Sequence, residues 1–259
     1  EAAAEKMLCI TIKDYASGNF ITWGTREYNG NGTNYRYFGT EQKMLDDFIH
    51  WWVQYTPDII TGWNCNLYDI PYLCRRLDRI LGEKFMMSLS PWNKVNMREI
   101  YIQGRRNLAY ELVGISILDY LDLYRKFTYT NQESYRLEHI ANVELGQGKL
   151  DHTEYENFKD FYTKDWDKFI KYNIIDVELV NRLEEKMKLL ELAVTMSYDA
   201  KVNFTDVYSQ VRMWDTLIYN YLKKKKICVP PKREESKNDK YAGAYVKDPK
   251  PGMYDWVAS

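Results

Sequence analysis

Residues 165–187 read D-W-D-K-F-I-K-Y-N-I-I-D-V-E-L-V-N-R-L-E-E-K-M. No Pro or Gly interrupts the stretch, and its apolar spacing predicts one long helix, with Thr163 placed to cap its start. What constrains the surrounding fold most is Asp176. At 3.6 residues per turn it shares a face with Phe169, Tyr172, Leu179 and Leu183. A carboxylate in an apolar line is costly to bury alone, so the fold must bring it a cation, a donor or a proton. Tyr172 lies one turn earlier on that face, close enough to share whatever Asp176 holds. Together they form a Tyr-x-x-x-Asp pair.

The rest of the chain sets the context for that acid. Its 259 residues allow one large domain or two ordinary ones, and 45% hydrophobic with 28% charged residues fit a soluble globular protein with a real core. A net charge of −1 gives no global pull toward nucleic acid, so any such binding must use local patches. The 23 Tyr and 8 Trp serve either large aromatic cores or rings that stack on bases. Cys9, Cys65, Cys74 and Cys228 make no C-x-x-C pair, and His50, His139 and His152 are scattered. That pattern argues against a zinc site or a disulfide framework and for reduced thiols in a cytosolic compartment. There is no signal peptide and no membrane-length apolar run, so no membrane partner is expected.

In chain order, alternation predicts strands at 7–13, 20–23 and 35–39, joined by a turn at 17–19 and an Asn/Gly-rich loop at 29–34 as an antiparallel meander. Residues 41–55 read as an amphipathic helix with Met44, Leu45, Phe48, Ile49 and Trp52 on one side. The apolar run 58–63 reads as a buried strand, 64–69 as a turn, and Pro71 opens a helix to Leu81. Strand, loop and helix in that order imply a βαβ-type layered α/β domain with a mixed sheet. Strands near 98–102, 108–113 and 115–119 follow, then short helices at 119–128 and 134–143, a loop at 146–149 and a polar stretch to 162. Further helices are expected at 188–199 and 208–222. Residues 223–226 are all lysine, which reads as a solvated helix end or as a phosphate contact. Pro230, Pro231 and the charged segment 232–240 read as a linker, and 241–246 resumes strand character. No internal repeat is present.

Two acids stand out. Asp69 follows a buried strand, where ligands collect in α/β sheets, or it is a helix N-cap before Pro71. Asp176 holds an ion, or it is a core carboxylate satisfied by Tyr or Arg. Only the fold can bring them together.

These residues resemble a known family. T-G-W-N-C-N-L-Y-D-I-P-Y (61–72) is similar to the second exonuclease motif of family B DNA polymerases, with Asn64, Tyr68 and Asp69 at its defining positions. Y-N-I-I-D-V (172–177) resembles the third exonuclease motif, and Y-A-G-A-Y-V (241–246) the motif between the exonuclease and polymerase regions. The segments 115–127, 196–201 and 214–220 resemble the replicative polymerases of T-even-type bacteriophages. The likeness covers nearly the whole chain.

The resemblance implies a 3′→5′ proofreading exonuclease that uses two divalent metal ions, Mg²⁺ or Mn²⁺, on a ribonuclease-H-like fold. Asp69 and Asp176 would bind metal, as hard cations prefer carboxylate oxygens. Tyr172 would orient the attacking water, and Asn64 and Tyr68 would contact the frayed single-stranded 3′ end of a primer-template, with Tyr68 alternatively a plain core aromatic. Tyr241, Gly243 and Ala244 would let backbone come close to a DNA strand, or form a tight strand crossing. The implied domains are an exonuclease domain at 1–188, a helical segment of the N-terminal-domain type at 189–231, and a linker with the start of a palm at 232–259.

The family's first exonuclease motif, a strand carrying Asp-x-Glu, has no counterpart. Asp14 ends a strand without a Glu partner, and Asp119 and Asp122 fall in a segment read as helix. In the family that strand is central in the sheet, between the strand starting near Met7 and the one at Asp58, so a gap with unpaired backbone groups is expected. Polymerase motif A would begin after Ser259. The expectation is therefore a piece of a longer or split replicative polymerase. It would depend on a complementary polypeptide for the missing ligands and for nucleotidyl transfer, with a sliding clamp contact in the downstream part, and would act in the cytoplasm of an infected bacterial host. The alternatives are a catalytically silent DNA-binding module and a structural α/β domain.

Overall fold

The computed structural model describes residues 3–30, 34–102, 105–146, 157–230, 248 and 250–253. The linker 232–240 and the strand expected at 241–246, with Tyr241, Gly243 and Ala244, lie outside the described residues. The chain divides into two compact units, Glu1–Ile218 and Tyr219–Ser259.

The first unit opens with β1 (Cys9–Lys13), β2 (Phe20–Gly24) and β3 (Asn34–Tyr37). β1 and β2 pair antiparallel, from Cys9 opposite Gly24 to Lys13 opposite Phe20. The meander expectation fails at the next step, because β3 runs parallel to β2, with Asn34 beside Ile21 and Tyr37 beside Gly24. The long connection from Thr25 returns the chain to the start of β2 instead of turning tightly at its end, and only a tight turn enforces antiparallel pairing.

α1 (Glu41–Tyr55) is capped by Thr40, whose side chain accepts from Lys43 N. Met44, Leu45, Phe48, Ile49 and Trp52 are all buried, as their spacing predicts. They meet Trp23 of β2 and Leu73, Cys74 and Leu77 of α2 (Asp69–Leu81) in the first core cluster. α3 (Glu83–Met87) is a short helix that the sequence reading lacked, set off from α2 by Gly82 at φ 98°.

The strand expected at 58–63 is only β4 (Ile59–Ile60), paired in parallel with β7 (Ser116–Ile117). Between them, β5 (Val95–Ile102) and β6 (Arg105–Leu112) form an antiparallel hairpin. In place of one mixed sheet, the described residues form three separate sheets of three, two and two strands. β1 and β4 are therefore edges, each with one paired neighbour among the described residues.

The second core cluster gathers α4 (Tyr120–Phe127), α5 (Leu137–Leu145) and α8 (Leu189–Ala200) around the C-terminal half of α7 (Trp166–Met187). α6 (Phe158–Lys164) occupies the end of the stretch expected to be merely polar, and Thr163 belongs to it, its hydroxyl donating to Lys159 O. The cap of α7 is consequently Asp165, which accepts from Lys168 N. After α8 come a 3₁₀ turn at Phe204–Tyr208 and α9 (Gln210–Lys224). In the second unit the lysine run is exposed, and Lys225 Nζ lies 4.5 Å from the centre of the Tyr221 ring.

Candidate active site

The pairing of β4 with β7 continues beyond the strands. Ser116 N donates to Asp58 O at 2.9 Å, Leu118 N to Ile60 O at 2.8 Å and Tyr120 N to Gly62 O at 2.9 Å. These bonds lock the chain leaving β4 to the chain leaving β7, so the start of α4 lies beside the turn that leads into α2. Asp119 caps α4 by accepting from Leu121 N at 3.0 Å. The same carboxylate accepts Asn64 N on Oδ1 at 3.0 Å and Asn66 N on Oδ2 at 2.9 Å. It is 3% exposed. Burial, together with the charges of Asp119 and Asp69, raises the pKa of the Cys65 thiol in this turn well above its usual range. Gly62 allows the turn to close this tightly, since a Cβ there would lie 3.0 Å from the Cβ of Cys65. Asn64 takes the left-handed conformation at φ 62°, which Asn tolerates better than most residues.

Asp69 is the first residue of α2; the cap position is Tyr68, with no side-chain capping bond. The N-cap reading of Asp69 is thereby excluded, and its carboxylate is left for other work. Although the residue as a whole is solvent-exposed, protein atoms crowd the carboxyl group. Desolvation, reinforced by the negative charges of Asp119 and Asp176 and opposed by its own backbone N–H, pushes its pKa up to about 6. Asp69 and Asp176, far apart in the chain, are thus brought within electrostatic reach of each other.

Asp176 occupies a seam on α7. Phe169 and Ile170 on one side pack with Phe161 and Trp166, while Leu179 and Leu183 on the other belong to the cluster around α4 and α8. Its Oδ1 is shut away from solvent. Two residues on, Glu178 pairs with Lys13 at the end of β1, with Nζ to Oε2 at 2.8 Å, tying this part of α7 to the three-stranded sheet.

Tyr172 packs its ring against Phe161 at 5.8 Å and Phe158 at 6.4 Å between centroids, so most of it serves the aromatic cluster under α7. Tyr68 stands beside Asp69 with 64% of its surface exposed, which excludes the core-aromatic alternative. Its ring stacks on Tyr72 at 6.0 Å and 27°, and the Tyr72 hydroxyl donates to Glu5 O. Asn64 is half-buried at the turn, its backbone N–H held by Asp119. Asp119 is the residue that sequence reasoning passed over. It was weighed only as a stand-in for the missing Asp-x-Glu motif and set aside because it falls at the start of a segment read as helix.

Asp69 and Asp176 offer hard oxygen donors, and their mutual repulsion is what a bound cation relieves. They fit a divalent metal as part of a ligand set. Among the described residues, no group of three His, Cys, Asp or Glu side chains is arranged to hold a metal by itself.

Residues 1–140 match the family described as DNA polymerase family B, exonuclease domain. The chain belongs to the family B DNA polymerases, in their exonuclease region. Within that family it is of the T-even phage type. It is 38% identical over 227 residues to the DNA-directed DNA polymerase of Escherichia phage RB69, covering 87% of this chain and 25% of that protein. It is likewise 38% identical over 225 residues to the DNA-directed DNA polymerase of Enterobacteria phage T4, again covering 87% and 25%. A more distant relative is DNA polymerase II of Escherichia coli strain K12, 24% identical over 264 residues, covering 97% of this chain and 32% of that protein. The chain thus spans 25% of the length of the two phage relatives. None of its helices, among the described residues, is long and apolar enough to cross a membrane.

Proposed function

We propose that this chain contributes the proofreading part of a replicative DNA-directed DNA polymerase, and that its reaction is 3′→5′ hydrolysis of a primer end supported by two divalent metal ions. The observation that carries this reading is the match of residues 1–140 to the family B exonuclease domain, with Asp69 at the start of α2 beside the exposed ring of Tyr68. Asp69 and Asp176 would hold Mg²⁺ or Mn²⁺, which supplies an activated water and charge stabilisation for the leaving oxygen when bound. Tyr172, one turn from Asp176, orients the attacking water. Asn64 and Tyr68 hold the frayed single-stranded end, Tyr68 by stacking on a base. Tyr241, Gly243 and Ala244 take the primer-template strand further along, and the lysine run at 223–226 meets phosphates.

The corresponding architecture is a ribonuclease-H-like exonuclease domain at 1–188, a helical segment at 189–231, and a linker with the start of a palm at 232–259. The edges of β1 and β4 would receive a strand carrying Asp-x-Glu from a complementary polypeptide, either elsewhere in the same protein or separate, and that strand completes the ligand set. A further polymerase part supplies nucleotidyl transfer and the sliding clamp contact, in the cytoplasm of an infected bacterial host.

The test is degradation of a single-stranded oligonucleotide with Mg²⁺ or Mn²⁺ by the chain alone, by the chain with an added Asp-x-Glu segment, and by the Asp176→Ala variant of that mixture. Little cleavage is expected from the chain alone. Cleavage is expected on complementation, with a loss of about a hundredfold or more in the variant. Cleavage that ignores Asp176 would overturn the reading. DNA binding without cleavage in every mixture would instead favour a catalytically silent binding module.

A further inference from the structure

Asp119 does more than cap a helix. A cap needs one acceptor oxygen, and Oδ1 already fills that role toward Leu121 N. The remaining capacity of the carboxylate is spent on the turn between β4 and α2, through Asn64 N and Asn66 N. A charged acceptor for two backbone donors of one short turn is a strong local restraint, as charge-assisted bonds are about twice as strong as neutral ones. Tyr208 holds the post from behind, its hydroxyl donating to Asp119 O at 3.2 Å. The turn ends at Asp69, and the main-chain bond from Ile70 N to Cys65 O at 2.9 Å makes the start of α2 rigid with it.

We propose that Asp119 is a positioning residue of the candidate site: it fixes the turn at 62–68, and with it Asp69 at the start of α2, and thereby sets the affinity of Asp69 and Asp176 for a divalent cation. This rests on the reading of Asp69 and Asp176 as metal ligands given above.

The experiment compares the 259-residue chain, supplied with the added Asp-x-Glu segment, with its Asp119→Ser, Asp119→Asn and Asp122→Asn variants under the same complementation. Mn²⁺ binding is followed by water-proton relaxation, amide hydrogen exchange is followed at Asn64 and Asn66, and folding is checked by thermal melting. Ser keeps the cap to Leu121 N but does not reach the turn. Asn keeps the bonds on Oδ1 and loses the one to Asn66 N. If Asp119→Asn fails to fold, Asp119→Ser still separates cap from turn. The expected result is Mn²⁺ affinity reduced about tenfold or more in Asp119→Ser, the size typical of groups that orient ligands, with faster exchange at both amides. Asp119→Asn should fall between it and the parent, and Asp122→Asn should bind as the parent does. Unchanged Mn²⁺ affinity in a folded Asp119→Ser with faster exchange would overturn the proposal and leave the metal reading standing. A complemented parent chain that binds no Mn²⁺ at all would overturn the metal reading and this inference together.

Discussion

Arg76 on α2 holds Glu41 on α1 in a buried two-pronged ion pair, with Nε to Oε1 at 2.8 Å and Nη2 to Oε2 at 2.5 Å. Glu41 also accepts Met7 N at 2.8 Å, and Arg76 Nη1 donates to Ala3 O at 3.1 Å. The pair therefore joins two helices and the lead segment, and α2 is the helix that begins with Asp69.

Removing one partner of such a pair leaves an uncompensated buried charge. Arg76→Ala is expected to cost about 3–5 kcal/mol, read as a shift in the urea midpoint. The double variant Arg76→Met with Glu41→Leu, which removes both charges and keeps apolar bulk, should recover most of that loss. Equal instability in the single and double variants would refute the argument.

A second buried acid fixes the far end of α7. Glu184 is 2% exposed and accepts Tyr120 Oη at 3.1 Å, Leu190 N at 3.0 Å and Glu191 N at 3.2 Å. It thus binds α4 to α7 and supplies negative charge at the start of α8, where a helix favours it. Tyr120→Phe should cost about 1.5–3 kcal/mol, the usual value for a hydrogen bond to a charged group, in thermal or urea unfolding. Burial and the neighbouring Glu184 both push the Tyr120 hydroxyl pKa upward, so absorbance titration of the folded chain should find this tyrosine protonated well past pH 10.

The thiols give a count. All four cysteines are free, and burial pushes Cys9 and Cys74 up to about 12 and raises Cys65 as well. Cys228 is exposed. A disulfide reagent at pH 8 should therefore modify one thiol quickly in the native chain and all four in guanidinium. Fast reaction of Cys65 would contradict the closed turn around Asp119.

Asp14 carries a pH dependence. Its side-chain bonds with Ser17 and then Tyr55 hold its pKa down at about 2. A depressed carboxylate contributes stability that is complete above the unfolded value near 4 and is lost as pH falls from there through about 2. Tyr55→Phe should raise the pKa of Asp14, measured by NMR titration, and leave stability less sensitive to acid between about pH 4 and 2.

Much of this protein was legible in its residues. The stripe in α1 named five buried side chains without error, because an amphipathic helix is a local periodicity that burial simply follows. The motif residues Asn64, Tyr68, Asp69, Tyr172 and Asp176 identified the family before any geometry. The parallel placement of β3 was not legible, since the strand pattern fixes alternation and not the direction of pairing. The cap of α7 was misread for a related reason. Thr163 and Asp165 are both good caps, and the choice fell to Asp165 only because α6 took Thr163 into its own last turn.

The sequence by itself determined the longer helices, the apolar face of α1 and the family that the two acids mark. Those properties depend on residue type and short spacing. Tertiary structure alone decided that the charge of Asp176 reaches Asp69, and that Asp119, which falls in a segment read as helix, holds the turn between β4 and α2. Long-range electrostatics and bonds between backbone segments distant in sequence leave no periodic trace in the chain. They exist only once the β4–β7 pairing and the packing of α7 have brought those segments side by side.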